Sequence, residues 1–191
     1  MGLGRRVIGI DPGTAVCGFG VVERGPGGIQ FLAAGTIRPG RVQGAPARLK
    51  LIYERLLELI DEQGPDAMSL ERSFVATNVQ SAFRLGEARA MAILAAAQRK
   101  LVLFEYAPNQ VKLSVAAHGH ADKKQVKFMV RRALHLDPSV ELADDATDAL
   151  ALALCHLTRS RIVLAADTAS RQRRRIAAGA LSVAAISAER P

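Results

Sequence analysis

The sequence predicts an α/β fold, a mixed five-stranded sheet flanked by helices. Three observations carry that prediction. Short β-rich runs punctuated by Gly and Pro fill residues 6–37. Two helix-then-strand alternations follow over 46–106, the order that right-handed crossovers lay down as parallel strands. Beyond 106 only helical periodicity remains. A chain of 191 residues, 49% hydrophobic, is long enough to bury a real core. One compact domain is expected over 1–163. Residues 164–191, rich in Ala, Ser and Arg with no core pattern, read as a weakly structured basic tail.

Each element has its own signal. Arg6 to Asp11 reads as a buried strand ended by Asp11-Pro12-Gly13, a turn signal. Cys17 to Glu23 and Ile29 to Ile37 read as strands joined through Gly25-Pro26-Gly27-Gly28, giving an antiparallel meander. In the helix expected over Pro46 to Glu62, Leu49, Ile52, Tyr53, Leu56, Leu59 and Ile60 form the apolar stripe, and Gly64-Pro65 stops it. Ala67 to Glu71 is a short strand, expected parallel to the first. A long helix over Asn78 to Lys100 and a strand over Leu101 to Tyr106 follow. The long helix is apolar around more than one face, so besides the sheet it covers either another part of the chain or a second copy. Pro108 to Val115 reads as a short helix and Lys123 to Leu134 as an amphipathic one, with Val126, Met129, Val130 and Leu134 opposite Lys124, Lys127 and Arg131. The last helix starts at Asp145 and runs to about Arg161.

Composition excludes several classes. Cys17 and Cys155 are too few for a disulfide scaffold or a four-cysteine zinc site, and both read as small core residues. No charge-free apolar run is long enough to span a bilayer, and the apolar run before Asp11 is too short for a secretory signal core. A soluble, cytoplasmic protein is expected. There is no phosphate loop ending in Gly-Lys-Ser/Thr and no Gly-x-Ser-x-Gly elbow. His118-Gly119-His120 lacks a third metal ligand at obvious spacing. The formal net charge is +8. Residues 156–191 hold seven basic groups against two acidic ones, and 112–132 hold six against the single acid Asp122. A patch of that kind attracts a polyanion, although a solvated helix face would look the same.

The acids are more specific. Asp11 and Glu71 end strands expected to lie side by side, at the carboxyl edge where open α/β sheets place their sites. Asp145 and Asp148 share a face of the last helix by their spacing. Singly, each has a structural explanation as a turn former, a strand end or a helix cap. Together they form a set of hard oxygen donors that repel one another unless protonated or bridged by a cation, and such donors select Mg²⁺ or Mn²⁺. Two such ions can clamp a phosphodiester.

Four ordered segments carry a resemblance. They are Ile8-Gly9-Ile10-Asp11-Pro12-Gly13-Thr14, Leu70-Glu71-Arg72-Ser73-Phe74, the run from Phe104 to Lys112, and Asp145-Ala146-Thr147-Asp148-Ala149-Leu150-Ala151. From about Arg5 to Leu157 the chain resembles the RuvC family of crossover (Holliday) junction endodeoxyribonucleases. The resemblance implies a ribonuclease-H-like fold, a homodimer, and paired symmetric nicks in four-way DNA junctions during recombination and repair. It also implies two Mg²⁺ or Mn²⁺ ions per site and work alongside the RuvA–RuvB branch-migration complex. Asp11, Glu71, Asp145 and Asp148 match the metal-binding, catalytic acids of the family. Phe74 matches an aromatic near the junction centre, and Lys112 and Lys123 match residues on the DNA backbone. Lys124, Lys127 and Arg131 extend that basic face by helical spacing alone. Asp144, an extra acid beside Asp145, leaves open which of the two belongs to the set; the three-residue spacing to Asp148 favours Asp145. Two alternatives, a related nuclease on structured RNA and a non-catalytic junction binder, are separated from the main reading by a metal-dependent nicking assay.

Overall fold

The computed structural model describes residues 5–40, 42, 44–72 and 78–160. Strands β1 (Arg6–Asp11), β2 (Cys17–Gly25) and β3 (Gly28–Ile37) form the antiparallel meander. Helix α1 (Ala45–Gln63), β4 (Ala67–Glu71), α2 (Val79–Gln98), β5 (Val102–Tyr106), α3 (Pro108–Ala116) and α4 (Lys123–Ala133) follow. A last helix, α5, is described over 144–160. The sheet order is β3-β2-β1-β4-β5, with β4 parallel to β1 and β5 parallel to β4. Expected and observed elements agree to within a residue or two at their ends. The chain divides after Leu157 into two units. Of the second, only 158–160 are described, so the tail expected over 164–191 lies outside the described residues.

Local chemistry accounts for the helix boundaries. Gly64 ends α1 in the left-handed conformation (φ 55°) and returns its N–H to the Ile60 carbonyl. The Asn78 side chain accepts the Ser81 N–H at the start of α2. At α4, Asp122 and Gln125 form a reciprocal capping box.

Strand alternation sorts the core into two layers. Ile8 and Ile10 of β1 and Met68 and Leu70 of β4 pack with α1 and α2 on one face. Val7 and Ala67 point to the other face, toward α4 and α5. Ser69 points there too, donating its hydroxyl to the Leu152 carbonyl of α5 at 2.9 Å. A period of two therefore directs Asp11 and Glu71, the next odd positions, to the α5 side of the sheet.

Three glycines let α5 approach. Gly9 of β1 lies opposite Gly20 of β2, and Asp11 lies opposite Gly18. A Cβ at Gly9 would stand 2.0 Å from the Ala149 carbonyl oxygen, one at Gly18 2.0 Å from that of Asp145, and one at Gly20 2.7 Å from the Leu150 backbone nitrogen. The trough they form takes the small face of α5, including Ala146, Ala149 and Ala153, all buried. Arg24 donates to the Leu157 carbonyl, and Tyr106 hydrogen-bonds His156 Nδ1 at 2.8 Å, which fixes the far end of the helix.

Candidate active site

The acids meet at the carboxyl edge of β1 and β4. Ile10 pairs with Leu70 across the parallel ladder, so Asp11 and Glu71 leave the two strands side by side. The trough under α5 brings the helix's first turns over the same edge. Asp11, Glu71 and Asp148 line one pocket of about 310 Å³ with Lys112, Lys123 and Pro108. Asp145 sits above Gly18, close enough for its charge to act on Asp11.

The electrostatics report this convergence. Burial, then the charges of Asp148, Glu71 and Asp145, push the Asp11 carboxyl from the ordinary 3.8 up to about 7, against an opposing pull from Lys123. Burial and then Asp148 raise Glu71, with Lys123 and Lys112 opposing. The Lys123 ammonium stands 3.0 Å from Asp148 Oδ2, and that hydrogen bond raises its own pKa. Lys123 is thus the counter-charge the pocket itself provides. Cys17, beside the site, has its thiol pushed up to about 12, chiefly by burial, with a backbone hydrogen bond to Gly13 opposing. It stays protonated and inert, a small core residue as expected, and Cys155 is likewise buried.

The remaining sequence candidates separate. Asp144 is drawn away by Lys127, whose ammonium lies 2.8 Å from its carboxylate and 3.4 Å from the Leu142 carbonyl. Asp144, at the start of α5, is therefore held toward α4, while Asp148 lines the pocket and Asp145 acts on Asp11 through its charge. Arg131 donates to the carbonyls of Val140 and Asp137, so Lys127 and Arg131 fasten the 137–144 loop that delivers α5. Lys124 is exposed on α4, and Phe74 lies outside the described residues. His118 and His120 are exposed.

One participant carries no motif. Arg89, on the inner side of α2, donates to the Glu71 main-chain carbonyl at 2.7 Å and pairs with the Glu105 carboxylate of β5. It ties the end of β4 to α2 and β5. Its only sequence signal is that, with Arg84, it is one of two cations inside an otherwise Ala-rich helix.

The donors suit a hard divalent cation: all are carboxylate oxygens, and burial, joined by the repulsion of the neighbouring acids, raises Asp11 to about 7. Among the described residues no three His, Cys, Asp or Glu side chains form a ready-made ion cage.

The chain is similar to known proteins over most of its length. A family model described as crossover junction endodeoxyribonuclease RuvC matches residues 7–156. The protein of that name from Thermosipho melanesiensis is 42% identical over 156 residues, covering 82% of this chain and 99% of the relative. That of Pseudomonas putida is 43% identical over 168 residues, covering 87% and 95%. Among solved structures, Thermus thermophilus RuvC in complex with a Holliday junction substrate superposes with a TM-score of 0.76 at 33% identity, covering 83% of this chain and 96% of that one. A yeast mitochondrial Holliday junction resolvase, 14% identical with a TM-score of 0.57, covering 80% and 78%, shares the fold. The expected ribonuclease-H-like architecture is borne out.

Proposed function

Because the chain belongs to the RuvC family of crossover junction endodeoxyribonucleases, we propose that it resolves four-way DNA junctions by paired symmetric nicks. Asp11, Glu71, Asp145 and Asp148 are the catalytic set and would hold two Mg²⁺ or Mn²⁺ ions. Bound there, such ions supply water activation and neutralise charge on the phosphodiester. The chain's own residues do the rest. Lys112 and Lys123, on the pocket wall, hold the scissile strand by its phosphates, and exposed Lys124 extends that contact. Lys123, paired with Asp148, would also offer its ammonium to a phosphate of that strand, so this lysine stands between the acids and the DNA. Phe74 is assigned to stacking on an unpaired base at the junction centre.

Two cuts need two acid pockets, so a homodimer belongs to the proposal. The outer face of α2 supports it. Val79, Phe83 and Leu94 are exposed, and Gly86 between them has open space where a Cβ would stand. Helical spacing places these residues on one stripe that a second α2 could approach closely. Cooperation with the RuvA–RuvB complex in the cytoplasm is part of the same reading. Among the described residues no helix is long and apolar enough to cross a membrane.

The observation that carries the proposal is the carboxyl group of Asp11, held near pH 7 by burial and three neighbouring acids at a strand edge lined with lysines. The test is Asp11→Asn on a synthetic four-way junction. Binding should persist and Mg²⁺-dependent nicking should vanish; retained nicking removes Asp11 from the mechanism.

A further inference from the structure

A second cavity, of about 470 Å³, opens between the first turns of α1 and the first half of α2. It lies on the sheet face opposite α5 but at the same edge as the acids. Arg6 near the start of β1 bonds the Gln63 carbonyl at the end of α1, so α1 begins at the other edge, where β1 and β4 end. Helix α2 follows β4 and also begins there. Thr14 and Ala15, on the turn that leaves Asp11, form part of its wall.

The polar lining is Thr14, Arg48, Gln80, Arg84 and Glu87. Arg48 Nε is buried without a hydrogen-bond partner. Among the described residues neither the Arg48 nor the Arg84 guanidinium makes an ion pair, and Glu87 is the only acid in the lining. Two unpaired guanidiniums, a hydroxyl and a carboxamide in one cleft are donors in search of an acceptor with several oxygens. The positive ends of two helix dipoles point to the same edge and favour an anion. Planar guanidiniums match the paired oxygens of a phosphate.

We infer that this cleft, through Arg48 and Arg84, grips a DNA backbone phosphate away from the scissile one, as a second anchor separate from the Lys112 and Lys123 wall. The inference rests on the junction-DNA reading above and adds a contact to it. A strand crossing the sheet edge meets the lysine wall on the α5 side and this cleft on the α1–α2 side. The turn from Pro12 to Val16 runs between them. Two anchors on either side of the acids would hold the scissile phosphate in register and resist rotation of the strand.

The experiment measures binding of a labelled four-way junction against salt, in the Asp11→Asn background so that no cutting occurs. Arg84→Ala and Arg48→Gln should each weaken binding about fivefold near physiological salt and flatten the slope of log affinity against log salt by about 0.9. Arg84→Lys, which keeps the charge, should restore the slope. Thermal melting and sedimentation of each variant show whether fold and oligomeric state are kept. Unchanged affinity and slope in both folded variants overturn the inference. So does a loss of affinity that tracks a loss of oligomeric state, which would assign the cleft to chain–chain contact. If the Asp11→Asn parent itself fails to bind junctions, the junction reading falls instead, and the same variants titrated with single-stranded DNA decide whether the cleft takes a phosphate at all.

Discussion

Removing the charge of Asp11 should stabilise the protein in the absence of divalent ions, a test of whether the acids are held together against their own repulsion. The Asp11 proton is held with a pKa of about 7 in the folded chain against an ordinary 3.8. A gap of about three pH units corresponds to about 4 kcal/mol between the protonated and ionised forms. The pocket is open to water on one side, so screening reduces this to about 2 kcal/mol. The sign follows from which state binds the proton more tightly. The folded state does, so the stabilisation is complete below about pH 3.8 and is lost as pH rises through about 7. Glu71, raised in the same direction, adds to the loss. In chelator, the wild-type melting temperature should therefore fall relative to Asp11→Asn across that window. Above pH 7 the variant should melt about 4–8 °C higher, at roughly 2–4 °C per kcal/mol for a chain of this size. Millimolar Mg²⁺ or Mn²⁺ should raise the wild type and leave Asp11→Asn nearly unmoved, closing the gap. Differential scanning fluorimetry from pH 4 to pH 9, with and without ions, reads all of this. If Asp11→Asn melts no higher than wild type at pH 8 in chelator, the acids do not share a pocket as described.

Three further outcomes follow from the same geometry. Gly9→Ala puts a Cβ 2.0 Å from the Ala149 carbonyl oxygen, a backbone contact that cannot swing aside; urea unfolding should show a loss of about 3 kcal/mol, with nicking reduced as α5 is pushed outward. Arg89→Ala leaves Glu105 without its partner and the Glu71 carbonyl without its donor; it should lower the single-turnover nicking rate more than junction affinity, with Arg89→Lys recovering part of the rate. Lys123→Ala removes the counter-charge of Asp148 and a cation that lowers Asp11 and Glu71; at limiting Mg²⁺ its nicking should need a higher pH than wild type, and its junction binding should be weaker and less salt-dependent.

What the sequence disclosed about this site follows from which interactions are local. Strand periodicity and the Gly-Pro punctuation are properties of neighbouring residues, so β1 to β3, the crossovers and the sheet edge at which Asp11 and Glu71 emerge could be read directly. Asp145 and Asp148 were legible because three residues is a helical interval. The same interval favoured Asp145 over Asp144, but what occupies Asp144 was hidden, because Lys127 reaches it from another helix. The same limit explains the basic face. Helical spacing placed Lys124, Lys127 and Arg131 together, but spacing is blind to acceptors brought by tertiary contact. The loop 137–144 engages Lys127 and Arg131 and leaves Lys124 exposed. Arg89 and the glycine trough were missed for a related reason: each matters through a partner distant in sequence, the Glu71 carbonyl in one case and α5 in the other. Yet the trough had a trace in the pattern. Gly9, Gly18 and Gly20 fall at alternate positions of adjacent strands, where β propensity alone would place larger residues. Strand glycines recurring on one face mark where another backbone must come close, and here that backbone carries the two aspartates without which Asp11 and Glu71 are only strand ends.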